Sequence, residues 1–216
     1  MSVIAVDGPA GSGKSSVCRA VAGRLGYRYL DTGAMYRALA WWSMQGHEDM
    51  STCPLVISTD PQAPQVVVDG QDVSADIRGP EVTAQVSRIA ADPDVRAIAV
   101  ATQRGIIERA QPGIVVEGRD ITSVVAPDAE VRIFLTADLA AREQRRAAEF
   151  SDPDLAERMR GTVAARDAVD ATRAHSPLTI VDGVTTIDAT HRNLEQVIAL
   201  VLELVAEATG GPHVPR

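Results

Sequence analysis

Residues 8–15 read GPAGSGKS, an instance of the G-x-x-x-x-G-K-[ST] pattern that handles phosphate. Gly8, Gly11 and Gly13 allow a tight loop whose backbone N–H groups can surround phosphate oxygens. The helix that follows would present the positive end of its dipole to the same oxygens. Lys14 supplies a mobile positive charge for β and γ phosphates, and the Ser15 hydroxyl is suited to Mg²⁺. Lys14 is also the only lysine of the chain, against 20 arginines. That fact excludes one large class at once, because the guanine-binding N-K-x-D segment of a GTPase needs a second lysine. No L-S-G-G-Q segment of an ABC-type ATPase is present either. A small phosphotransferase fits these absences.

A phosphotransferase needs an acceptor site, and several arginines fall where one could form. RDAVDATR places Arg166, Asp170 and Arg173 at i, i+4 and i+7, on one face of a helix. Such a row serves either a second anionic ligand or a solvated stripe of ion pairs. EGRD at 117–120 follows the apolar run GIVV directly, at the carboxyl edge of a sheet, where open α/β folds bind ligands. Its alternative is a structural turn. Arg37 and Arg96 stand at element ends or in clusters that also carry acids.

The elements that must hold these residues alternate between strand and helix from the N-terminus, the pattern of a parallel sheet covered on both faces. SVIAVD at 2–7 reads as a buried strand running into the glycine loop. A helix follows from Lys14 to about Leu25, closed by Gly26. A strand at 27–30 leads to Asp31 and Thr32, which can cap a helix through Met44. Residues 50–80 interrupt the alternation with prolines, glycines and the segment VVVDGQDV, whose Asp69-Gly70 pair reads as a hairpin turn. Helices are expected near 80–91 and from Asp92-Pro93 to about Ala110. GIVVEG at 113–118 and VRIFLTA at 131–137 read as central strands. Then come an Asp138-capped, arginine-rich helix to about 149, a helix at about 153–173, a strand near 184–188 and an amphipathic helix at 191–208. The fold class is α/β, a three-layer P-loop arrangement with a central parallel sheet flanked by helices.

DGPAGSGKS at 7–15, LDTGAMYR at 30–37, EGRD at 117–120 and RDAVDATR with SPL at 166–178, in this order and spacing, resemble the bacterial cytidylate kinase family of nucleoside monophosphate kinases. The resemblance covers almost the whole chain. It implies transfer of the γ-phosphoryl group of Mg-ATP to CMP or dCMP, giving ADP and CDP or dCDP. It implies that Gly8, Pro9, Ala10, Gly11, Ser12, Gly13, Lys14, Ser15 and Ser16 hold ATP, and that Thr32 and Arg37 border the acceptor nucleotide. Ser87, Arg96 and Asp120 match positions around cytosine, Arg166 and Asp170 those around the ribose, and Arg37, Arg119 and Arg173 those around the acceptor phosphate. A carboxylate at 120 suits this role, since it accepts from the amino group of cytosine and would face an acceptor oxygen in uracil. Members of the family often carry glycine where this chain has Thr122. The helix ADLAAREQRRAAEF resembles the start of the family's lid, with Arg142, Arg145 and Arg146 in reach of the transferring phosphoryl group or, alternatively, on a solvated face. The organisation implied is a single kinase unit. Its core is about 1–33, 112–138 and 176–210, its nucleoside monophosphate-binding insertion with a small β hairpin region about 34–111, and its helical lid about 139–175, with a disordered tail at 210–216.

Two other readings stand beside this one. The acceptor could be UMP or a shikimate-like metabolite, or the chain could bind ATP as a regulatory module without chemistry. Net charge is −8, with 29 acidic side chains against 21 basic, which disfavours binding to a nucleic acid polymer. Two cysteines are too few for a disulfide scaffold, and no apolar stretch reaches the length of a membrane span. The expectation is a cytoplasmic monomer with small-molecule substrates and no membrane partner.

Overall fold

The computed structural model describes residues 2–210. Five strands form one parallel sheet: β1 (Ser2–Asp7), β2 (Arg28–Asp31), β6 (Gly113–Gly118), β7 (Val131–Thr136) and β8 (Thr185–Asp188), in the order β2-β6-β1-β7-β8. β1 lies between β6 and β7, with Val6 opposite Glu117 and Asp7 opposite Gly118. The carboxyl ends of β1 and β6 therefore sit side by side. That register places the glycine loop next to EGRD although 100 residues separate them in sequence.

Alternation along each strand explains why both faces are covered. Ile4, Val6, Ile133 and Leu135 pack against Val17 and Val21 of helix α1 (Lys14–Leu25) and against Val197, Ile198 and Val201 of α7 (Leu194–Thr209). Val3, Ala5, Ile114 and Val116 point the other way, onto Met35 of α2 (Thr32–Met44) and Ile107 of α4 (Pro93–Arg109). A strand apolar at every position must be buried on two sides, and these are. Truncating a residue such as Ile133 to alanine would cost about 2–5 kcal/mol.

Between α2 and β6 lies a second apolar cluster, built from α2, α3 (Pro80–Ala91) and α4 with a three-stranded antiparallel sheet. That sheet is β3 (Leu55–Ile57), β4 (Val66–Val68) and β5 (Gln71–Asp72). The hairpin turn at Asp69-Gly70 has both residues in the left-handed region, φ 50° and 76°. Sequence reading missed β3, whose three residues are too few to show a period. Asp92 caps α4 through the N–H groups of Asp94 and Val95, and Pro93 opens the helix. After β7, helices α5 (Leu139–Ala147) and α6 (Pro153–Thr172) pack on each other.

Two boundaries differ from expectation. α7 starts at Leu194 rather than 191, because Asn193 and Gln196 form a reciprocal capping box. EGRD runs into a short helical turn, Ile121–Val125, which the apolar run ITSVV did not signal. The expected tail lies, beyond Gly210, outside the described residues. No helix among the described residues is long and apolar enough to cross a membrane.

Candidate active site

The loop at 8–15 is shaped by what passes close to it. A Cβ on Gly8 would lie 2.0 Å from the carbonyl oxygen of Leu135 on β7, and one on Gly11 would lie 2.5 Å from the carbonyl oxygen of Arg142 on α5. Gly11 also has φ 72°. Glycine at these two positions lets the backbone wrap tightly before α1 begins at Lys14.

Lys14 is buried, and its Nζ donates to the carbonyls of Gly8 (2.7 Å) and Pro9 (2.8 Å). Burial, helped by the Arg119 charge, pushes its ammonium down to about 7. Facing it is Glu117, the first residue of EGRD, whose carboxyl is pushed up to about 7 by burial and by Asp31 nearby. The Tyr29 hydroxyl donates to Glu117, and the Ser15 hydroxyl also favours its ionised form. Sequence reading quoted EGRD but gave Glu117 no part. Its place at the end of a buried strand, next to a phosphate-loop lysine, was the available signal.

One cavity runs from this loop into the space between α2, α3 and α6. Ala10 to Ser16 line it on one side, whereas Gly8 and Pro9 are not part of the lining. Thr32, Arg37, Ser87, Arg96, Arg119 and Asp120 line it as well, and so do Arg146, Arg166, Asp170 and Arg173. Every residue marked out in the sequence for the acceptor therefore borders the same cavity as the loop. Arg142 and Arg145 do not. Arg142 donates to the carbonyls of Ala137 (2.9 Å) and Ala10 (3.2 Å), and Arg145 to those of Ser12 (3.3 Å) and Ala189 (2.6 Å).

The lining carries eight basic and five acidic side chains, in a chain whose total is −8. An electropositive cleft in an acidic protein concentrates anions there. Arg37 is held by the carbonyl of Ile77 and the hydroxyl of Thr83; burial and the charges of Arg166 and Arg146 push it down to about 9. Arg166 is pushed down to about 10 by burial and by Arg119. Asp170 stands among the arginines, accepting from Arg119 Nε at 2.9 Å with Arg173 Nη1 at 3.6 Å. Burial alone would raise its carboxyl, but Arg119, Arg173 and Arg166 together hold it below the ordinary range. The row on α6 is thus part of a cavity wall and not a solvated stripe. Several guanidinium nitrogens there are buried without a hydrogen-bond partner: Arg96 Nε, Arg146 Nε and Nη2, Arg166 Nε and Arg173 Nε.

At the far end, Asp120 forms an ion pair with Arg96, both side chains 5% exposed. Arg96 also donates to the Ala90 carbonyl (3.0 Å), and its guanidinium lies 5.3 Å from the centre of the Tyr36 ring. Ser87 borders the same corner, and Tyr36, unassigned from sequence, adds the aromatic surface a flat ring would contact. Thr122 donates through its N–H (2.8 Å) and hydroxyl (2.7 Å) to the Asp7 carboxylate, which also accepts from Ile121 N–H. The side chain that ends β1 therefore anchors the turn carrying Asp120. Thr32 reaches the same strand end, donating to the Glu117 carbonyl at 2.7 Å.

Known proteins resemble this chain closely in sequence. A family model described as cytidylate kinase matches residues 4–207. The cytidylate kinase of Streptomyces griseus is 46% identical, covering 94% of this chain and 92% of that one. The cytidylate kinase of Rhodococcus jostii is 44% identical, covering 96% of both. Among solved structures, an unliganded sugar kinase from Janibacter sp. HTCC2649 superposes over 99% of both chains with a TM-score of 0.54 at 13% identity, a likeness of fold alone.

Proposed function

The chain belongs to the cytidylate kinase family, and from that premise we propose how its residues divide the work of moving the γ-phosphoryl group of ATP to CMP or dCMP. It is an ATP-dependent phosphotransferase. The observation that carries the division of labour is the set of buried guanidinium nitrogens without partners, on Arg96, Arg146, Arg166 and Arg173, around a cavity that opens on the phosphate loop. Leaving a buried charged donor unpaired costs more than an ordinary missing hydrogen bond, so the pocket is made for an anion.

In this reading the loop from Gly8 to Ser16 receives the phosphates of ATP, with Lys14 exchanging the Gly8 and Pro9 carbonyls for phosphate oxygens. Arg37, Arg119 and Arg173 hold the acceptor phosphate. Arg166 and Asp170 border the ribose, and Asp120, Arg96 and Ser87 read cytosine, with Thr32 at the edge of the acceptor space. A carboxylate at Asp120 rejects uracil by facing its carbonyl with another acceptor. Catalysis is in-line transfer by positioning and charge neutralisation, without a covalent enzyme intermediate. The acceptor oxygen is already anionic, so no general base is called for. Arg146, which lines the cavity, is placed to neutralise charge on the moving group. Arg142 and Arg145 act through the loop that they grip.

The Ser15 hydroxyl and the Glu117 carboxylate are hard oxygen donors of the kind Mg²⁺ accepts beside nucleotide phosphates, so these two would hold it. Its contribution there would be to screen the charge between β and γ phosphates. We further read 34–111 as the acceptor-binding insertion, 139–175 as a lid and the remainder of 1–210 as the core. A monomer fits, because one chain supplies the whole cavity lining, and a cytoplasmic setting fits its two free cysteines, Cys18 and Cys53. A coupled ADP-release assay over a panel of nucleoside monophosphates tests the reading. CMP and dCMP should lead, and Lys14→Ala should lower turnover by at least about a hundredfold while leaving CMP binding nearly intact. Full activity in Lys14→Ala, or UMP turned over as well as CMP, would overturn it.

A further inference from the structure

One acidic side chain of α6 has a place that the acceptor site does not explain. Asp167 points away from the cavity wall formed by its neighbours Arg166 and Asp170 and meets the phosphate loop. Its Oδ1 accepts from the backbone N–H of Ala10 at 3.0 Å, and its Oδ2 pairs with Arg142. Arg142 in turn donates to the Ala10 carbonyl at 3.2 Å, and its own carbonyl occupies the space a side chain at residue 11 would fill. One peptide segment of the donor loop is thus held at both its N–H and its C=O, by α6 and α5 together. Both side chains of the pair are mostly buried, 19% and 11% exposed.

The helix that carries this contact is also the wall of the acceptor site. Arg166 and Asp170 share a helical turn with Asp167, and Arg173 is its C-terminal cap. A helix moves as a rigid body over such a distance. Asp167 therefore ties the position of Arg166 and Asp170 in the cavity to that of the loop, so a phosphate drawn into the loop acts on both.

We infer that Asp167 is a positioning residue that couples the two substrates: by joining Ala10 of the donor loop to Arg142 it makes bound ATP strengthen the binding of CMP, and bound CMP strengthen that of ATP. The coupling is reciprocal by linkage. The inference rests on the assignment of donor and acceptor sites given above. Asp167→Asn leaves Arg142 without its ion-pair partner beside the loop, which shifts ATP affinity by itself; the coupling factor, a ratio of CMP affinities with and without the analogue, is read separately from that shift.

The test is a thermodynamic cycle on the full chain, measuring CMP affinity by calorimetry with and without a saturating non-hydrolysable ATP analogue, for the unaltered chain, Asp167→Asn and Asp167→Ala. The unaltered chain should show a coupling factor in the range of about 5 to 150. Both variants should bring that factor down to less than about twofold, with CMP affinity in the absence of the analogue changed by less than about threefold. Asn keeps the volume and an acceptor for Ala10, so it decides the matter if Ala fails to fold. A coupling factor unchanged in Asp167→Asn overturns the inference. So does a loss of CMP affinity equal with and without the analogue, which marks a merely structural side chain. If the unaltered chain shows no CMP binding, it is the assignment of the sites that has failed.

Discussion

Exchanging Asp120 for Asn probes, in two ways at once, the corner proposed to read the base. The Arg96–Asp120 pair is almost wholly withdrawn from water, and breaking a buried pair by neutralising one partner costs about 3–5 kcal/mol because the other charge is left uncompensated. Here the lower end applies. Arg96 keeps its bond to the Ala90 carbonyl and its position over the Tyr36 ring, and Asn still offers one acceptor oxygen. A loss of about 3 kcal/mol in a chain of this length corresponds to a fall of about 6–12 °C in melting temperature. Urea denaturation of the ligand-free protein reads the first quantity and a thermal scan the second. The functional effect has a separate readout. An amide can present its N–H₂ to the carbonyl of uracil, so the preference for CMP over UMP, as a ratio of kcat/KM, should fall by about a hundredfold or more. Adding Arg96→Met to a chain with Asp120→Leu should restore much of the stability, because no charge is then left buried, without restoring the preference. Two results would refute the reasoning. A destabilisation below about 0.5 kcal/mol would mean the pair is solvated in solution, and an unchanged CMP preference would remove Asp120 from base recognition.

Two further outcomes follow from the geometry of the loop. Gly11→Ala would force a Cβ to within 2.5 Å of the Arg142 carbonyl at a backbone φ of 72°, so it should raise KM for ATP and lower kcat together while thermal stability falls by a few degrees; unaltered kinetics would show that α5 does not rest on the loop in solution. Lys14 is pushed from its ordinary value of 10.5 down to about 7, so at pH 8 it is mostly neutral in the free enzyme, and the polyphosphate of ATP must recharge it. Calorimetry at pH 8 in two buffers of different ionisation heat should then show uptake of about one proton on ATP binding, declining toward zero as pH falls below 7; no uptake at pH 8 would contradict the burial of the free ammonium.

The parallel core was legible in advance because its central strands β1 and β6 are buried on both faces and end at aspartate or glycine. Asp31, Asp92 and Asp138 announced three helix starts by the same capping chemistry that the structure displays. The arginines proposed for the acceptor stood out through residue type and order, and their meeting in one cavity is what no local pattern could show. It depends on β6 lying beside β1, and so on pairing of residues 111 apart in sequence. What escaped sequence reading was of two kinds. β3 carries too few residues to display a period, and the start of α7 depends on a reciprocal cap at Asn193 rather than on hydrophobic spacing. Glu117, Tyr36 and Asp167 escaped because an acid or an aromatic beside a motif has many uses. Only the neighbours brought by the fold, Lys14, Arg96 and Ala10, select among them. The grip of Arg142 and Arg145 on backbone carbonyls of the loop is likewise something their helix did not signal.

The clasp between Asp7 and the turn at 121–125 has a consequence for how this chain can change over generations. Three donors meet one carboxylate there, two of them main-chain N–H groups that every residue but proline supplies and one the hydroxyl of Thr122. A lineage that loses the hydroxyl keeps two of the three bonds, whereas a lineage that loses the carboxylate strands all three donors in a space closed to water. Position 122 is therefore free to drift among small residues, while position 7 is held fast. Replacements at 7 should survive only alongside compensating changes in the segment that carries Asp120, so that the end of the first strand and the choice of base are inherited together.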